Sequence, residues 1–101
     1  MRPMSQASPA LEAFTDEMIR LCAKKGYHPT AFKGMRERHG TLEAMRRLVR
    51  NGDVQSGFLR LTELGLQDWT IEAAILRFKP EFDRTDIECA RWRLAQASRA
   101  V

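Results

Sequence analysis

The chain has 101 residues, 44% of them apolar and 30% charged, which is an ordinary balance for one globular domain. No apolar run approaches the roughly 18 residues of a membrane span, and the polar opening MRPMSQASPA does not read as a secretory leader, so no membrane role and a cytoplasmic location are expected. Net charge is +4 and unevenly spread: residues 24–52 hold eight bases against two acids, whereas residues 1–23 and 53–101 each carry a net −1.

Residues 1–7 are polar and expected to be disordered, residues 8–98 form the domain, and residues 99–101 fray. Ser8-Pro9 reads as an N-cap followed by proline at the first helical position. Leu11, Phe14, Met18, Leu21 and Cys22 then recur at helical spacing, and Gly26 is placed to close this first helix, 9–25, in a left-handed conformation. Pro29-Thr30 opens a second helix with Phe32 and Met35 inward, ending at His39-Gly40. Gly34 inside it costs about 1 kcal/mol relative to alanine, which predicts either fraying or a close approach by another element. Thr41 is expected to cap a third helix with Leu42, Met45 and Val49 inward and Asn51-Gly52 as its stop.

Ser56 or Gly57 opens a fourth helix through Leu64, closed by Gly65. Its apolar residues cover most of its circumference, which predicts a central position. Thr70 caps a fifth helix, 71–78, with Trp69 as a staple at its entrance. Thr85 and Glu88 have the spacing of a capping box and are expected to launch a sixth helix to Ser98, with Ile87, Ala90, Leu94 and Ala97 inward. No stretch alternates as a strand would, and connections are short. The fold class is therefore all-α, a compact single-domain bundle of about six short helices, monomeric or weakly dimeric.

Little in this chain reads as catalytic machinery. His28 and His39 lie at opposite ends of the second helix, some 16 Å apart, too far to share a metal unaided. Cys22 and Cys89 form no C-x-x-C pair and read as reduced, largely buried thiols. Asp83 and Asp86 flank a helix start, where acids favour the dipole without any catalytic role. No phosphate loop or nucleophile motif is present. No catalytic residue, cofactor, metal or small-molecule substrate is expected.

The basic segment is the leading candidate. Residues 34–52 carry five arginines and one histidine against two acids. At about 100° per residue, Arg46, Arg47 and Arg50 share the outer face of the third helix. Lys33 and Arg36 stand one turn apart on the second, and Arg38, Lys24 and Lys25 extend the surface if the first three helices meet there. Converging guanidinium groups suit phosphates, since each donates two aligned hydrogen bonds and binding releases counterions. The alternative is a solvated face in which Glu43 pairs with Arg46 and Arg47. The Gly40-Thr41 turn matches a DNA-reading helix-turn-helix poorly, and sequence-specific readout is not expected. A separate candidate is Trp92, about 140° from Ile87 on the sixth helix and flanked by Arg91 and Arg93. It either stacks on a base or anchors a protein partner, or it belongs to a second packed face.

The stretch Gly57-Phe58-Leu59-Arg60-Leu61, Glu63-Leu64-Gly65, Thr70-Ile71-Glu72-Ala73, Pro80-Glu81-Phe82 and Ala90-Arg91-Trp92-Arg93-Leu94 resembles a small helical bacterial domain with the pattern G-F-x-R-L-x-E-L-G, T-x-E-A and A-R-x-R-L. Gly26-Tyr27-His28-Pro29-Thr30-Ala31-Phe32 resembles its opening, so the likeness covers about residues 26–96. Thr62 and Gln67 depart from the pattern. Such domains occur alone or appended to restriction-type and other nucleic-acid-processing proteins, and no activity transfers with the resemblance. It implies an accessory module. Together these readings predict a nucleic-acid contact through residues 24–50 without strong sequence preference. The other reading is a protein-interaction module, an adaptor or small inhibitor of a nucleic-acid-processing or defence enzyme.

Overall fold

The structure, a computed structural model, describes residues 7–50 and 56–99. Six helices run in the order α1 (Pro9–Lys24), α2 (Thr30–His39), α3 (Thr41–Arg50), α4 (Ser56–Glu63), α5 (Ile71–Arg77) and α6 (Arg84–Arg99). Short 3-10 turns at Gln67–Trp69 and Lys79–Glu81 flank α5, and no strand occurs among the described residues. The all-α expectation holds. Most of the expected disordered segment and the Asn51-Gly52 stop lie outside the described residues. Ala7 is described and buried.

Local signals explain most of the boundaries. The Ser8 hydroxyl accepts from the Leu11 N–H at 3.1 Å and caps α1. Ser8 also donates, through its N–H and hydroxyl, to both carboxylate oxygens of Glu81 at 2.7 and 2.6 Å, which ties the start of α1 to the turn before α6. Thr70 caps α5 by accepting from the Ala73 N–H at 3.0 Å. Gly26 and Gly65 follow helix ends at φ +80° and +77°, a region that costs other residues strain.

The α2–α3 junction differs from expectation. Only Gly40, at φ +86°, separates the two helices, and its carbonyl accepts from the Ala44 N–H, so Gly40 rather than Thr41 precedes the first turn of α3. Thr41 is buried instead, accepting from Arg36 Nε and donating to Glu12. Gly34 marks neither fraying nor a close approach. α2 is continuous through it, and a Cβ added there would meet only the Arg38 guanidinium at 3.5 Å. Gly34→Ala is therefore expected to raise stability by about 0.5–1 kcal/mol in urea titration.

The core runs through all the helices. Leu11, Phe14, Met18 and Cys22 of α1 meet Phe32 of α2 and Leu42, Ala44, Met45 and Val49 of α3. Ala74 and Ile75 of α5 and Ala90 of α6 complete it, with α5 packed most extensively on α6 and α2 on α3. Trp69 reaches across to α1 and stacks on Phe14 with ring centroids 4.8 Å apart, and Phe78 meets the same ring edge-on. α4 is less central than its composition suggests. Phe58 and Leu61 are buried while Leu59 faces solvent. The two thiols are unlinked, and burial pushes the Cys22 thiol up from its ordinary pKa.

Candidate interaction surface

Three arginines of the basic segment, Arg36, Arg46 and Arg50, reach carboxylates on other helices. α3 lies against α6, and the start of α6 carries two carboxylates three residues apart. Asp83 Oδ1 accepts from the Asp86 N–H at 3.1 Å, and Asp86 Oδ2 accepts from the Asp83 N–H at 3.3 Å. This reciprocal pair is the capping box of α6. The expected box of Thr85 and Glu88 does not form, because the helix begins at Arg84, and Glu88 accepts from Arg84 Nε instead.

Arg46 and Arg50, one turn apart on α3, both donate into that pair. Arg50 Nε reaches Asp86 at 2.6 Å and its Nη2 reaches Asp83 at 2.7 Å. Arg46 Nε reaches Asp86 at 3.2 Å and its Nη2 reaches Asp83 at 3.0 Å. Asp86 is fully buried under the two guanidinium groups. The Asp86 N–H, reinforced by Arg50, holds the Asp83 carboxyl down to about 2, and the bond to Asp86, then that to Asp83, raises the Arg50 pKa. Asp83 thus adds stability at and above its ordinary pKa of 3.8, and that contribution is lost as pH falls toward 2.

The other predicted phosphate contacts divide into two groups. Arg36 turns inward, donating to Glu12 at 2.8 Å and lying 3.0 Å from Asp16, and so fastens α2 to α1. Burial works against its charge, but the bonds to Glu12 and then Asp16 outweigh it and its pKa rises. Arg47 donates to Glu43 at 2.9 Å within α3 and stays half exposed. Glu43, Arg46, Arg47 and Arg50 line one open groove, with the Glu43 carboxylate set among the guanidinium groups. Lys24, Lys25, Lys33 and Arg38 are exposed, and none makes an ion pair among the described residues. The expected single patch of open positive charge is therefore not what the fold assembles: Arg36, Arg46, Arg47 and Arg50 each meet a carboxylate of the same molecule.

The three candidates on α6 also separate. Arg91 and Trp92 are exposed, Trp92 to 54%. Arg93, expected to flank Trp92 on the surface, is 2% exposed. Its Nη1 lies 3.4 Å from Glu72 of α5, and its Nη2 donates to the Leu48 carbonyl of α3 at 3.1 Å. It points inward because α6 buries a stripe containing Asp86, Ala90 and Arg93, at spacings of three and four residues. Sequence reasoning missed Glu72 as its partner, since Glu72 follows the Thr70 cap and reads there as a first-turn acid. Burial raises the Glu72 pKa, against the opposing pull of its own N–H and of Arg93.

A raised carboxyl pKa in the folded state makes the folded chain bind more protons than the unfolded one, so the Glu72 contribution declines as pH rises above its ordinary 4.5. Glu72→Gln is expected to flatten the stability profile above that pH, measured by urea midpoints at pH 5 and pH 7. A profile as steep as the wild type's would exclude Glu72 as the source.

His28 and His39 are both exposed, and no group of three His, Cys, Asp or Glu side chains among the described residues could hold a metal ion. No described helix is long and apolar enough to cross a membrane. Comparison of the chain with protein-family models, with curated proteins and with solved structures gives no match.

Proposed function

We propose that the chain is a non-catalytic protein-interaction module that holds its partner through the outer face of α6. Trp92 carries this reading. It is the most exposed of the large apolar side chains described, more so than Leu59 at 46%, and Arg91 beside it makes no ion pair among the described residues. Tryptophan and arginine dominate the binding energy of protein interfaces, because a broad rigid ring buries much area at small entropic cost. The partner that suits this face has an apolar cleft bordered by acidic groups. By the resemblance drawn from the sequence, it would be a bacterial nucleic-acid-processing or defence enzyme, with this chain as its adaptor or inhibitor.

The pairing of Arg36, Arg46, Arg47 and Arg50 with internal carboxylates favours this reading over a nucleic-acid contact, since charge compensated within the fold gives little counterion release. The nucleic-acid reading keeps one supporting observation, the exposed cations Lys24, Lys25, Lys33 and Arg38, which make no ion pair among the described residues. Trp92→Ala separates the two. It is expected to leave stability within about 0.5 kcal/mol of wild type, because the ring is mostly in solvent. The same variant is expected to lose a partner that wild-type protein retains through nuclease treatment and high salt. Equal retention by both proteins would contradict the proposal.

A further inference from the structure

A cavity of about 300 Å³ opens between the α1–α2 turn, α4 and α5, away from the ion pairs of α3 and α6. Met18, Phe32, Leu48, Phe58, Leu61 and Ile71 form its apolar walls, while Ala31 and His28 are exposed residues of its lining. Its size falls at the lower end of the range for small-molecule sites. One buried ionisable side chain, Glu72, also lines it.

Glu72 is held by Arg93 over a long contact. Arg93 approaches at 3.4 Å, well beyond the roughly 2.7–2.9 Å of a strong charge-assisted bond. Burial accordingly holds the carboxyl above its ordinary pKa despite that neighbour. A buried carboxylate whose pairing with Arg93 is this long, beside an apolar cavity, complements a cation on an apolar body. We infer that this cavity is a binding site for a small aromatic amine, whose ring fills the apolar walls and whose ammonium group donates to Glu72. The site is independent of the α6 face and of the function proposed for it.

Three probes with one ring and different charge test this: tryptamine, the neutral alcohol tryptophol and the anion indole-3-acetate, each titrated into isotope-labelled protein. Tryptamine is expected to shift the amides of residues 27–32 and 71–72 and to bind about tenfold more tightly than tryptophol, with indole-3-acetate weakest. Glu72→Gln should bring tryptamine and tryptophol to similar affinity. Ala31→Trp, at an exposed position, should block all three without touching the core. The inference is overturned if none of the probes shifts those amides at millimolar concentration. It is also overturned if tryptophol or indole-3-acetate binds as well as tryptamine, or if Ala31→Trp leaves binding unchanged.

Discussion

Arg93→Ala is expected to cost about 3–5 kcal/mol at neutral pH, a large share of the roughly 5–15 kcal/mol that holds a domain of this size folded. Arg93 joins three helices: it rises from α6, lies beside Glu72 of α5 and donates to the Leu48 carbonyl of α3. Truncation leaves a 4%-exposed carboxylate without its nearest cation, and a carbonyl without that donor. The stranded Glu72 is relieved by taking up a proton, so the penalty should shrink at lower pH, where protonation costs less. Thermal unfolding at pH 5 and pH 7 checks both the size and the direction. The pair contributes mainly by avoiding that penalty, because two charges removed from water gain little over a well-packed apolar pair. The double variant Glu72→Leu, Arg93→Met is therefore expected to recover most of the loss. If it is no more stable than Arg93→Ala, the penalty does not come from the stranded carboxylate.

Asp86→Ala is the second large effect, about 2–3 kcal/mol by urea unfolding. The substitution removes the acceptor for the Asp83 N–H at the start of α6 and the shared acceptor of Arg46 Nε and Arg50 Nε. The arginines themselves remain partly exposed and can turn to water, so the cost stays below that of stranding Glu72. Asp83→Ala should cost less, since Asp83 is half exposed and its pairing is screened by solvent. Equal costs at the two positions would show that burial of Asp86 under the guanidinium groups adds nothing to the tie.

What could be read along the chain was whatever depends on neighbours within about one turn. Ser8 and Thr70 cap their helices as expected, Gly26 and Gly65 adopt the left-handed closures, and Leu42, Met45 and Val49 fall on the buried face of α3. At the start of the sixth helix, Thr85 and Glu88 have the residue types of a capping box, whereas Asp83 and Asp86 read only as acids that suit the helix dipole. The Asp83–Asp86 pair forms the box instead, because it also meets Arg46 and Arg50, and tertiary charge decides between them.

The arginines were misread for the same reason. The i, i+4 pattern of Arg46 and Arg50 is visible locally, but their acceptors Asp83 and Asp86 lie 33 to 40 residues away, and no periodicity reports where those will land. Arg93 looked like a surface residue because arginine usually is one. The cavity had no signature at all, since its lining comes from α1, α2, α3, α4 and α5.

Arginine charge is neutralised inside the fold. The most direct test of this neutralisation is the affinity of the wild-type protein for a short DNA or RNA duplex, measured by fluorescence anisotropy between 50 and 200 mM salt, beside Arg47→Glu, the reversal that spares the α3–α6 tie. Weak binding is expected, with a slope of log K against log salt shallower than about −2, little altered by the substitution. Submicromolar binding with a slope steeper than about −4, abolished in Arg47→Glu, would contradict it and return the basic face to the role its composition first suggested.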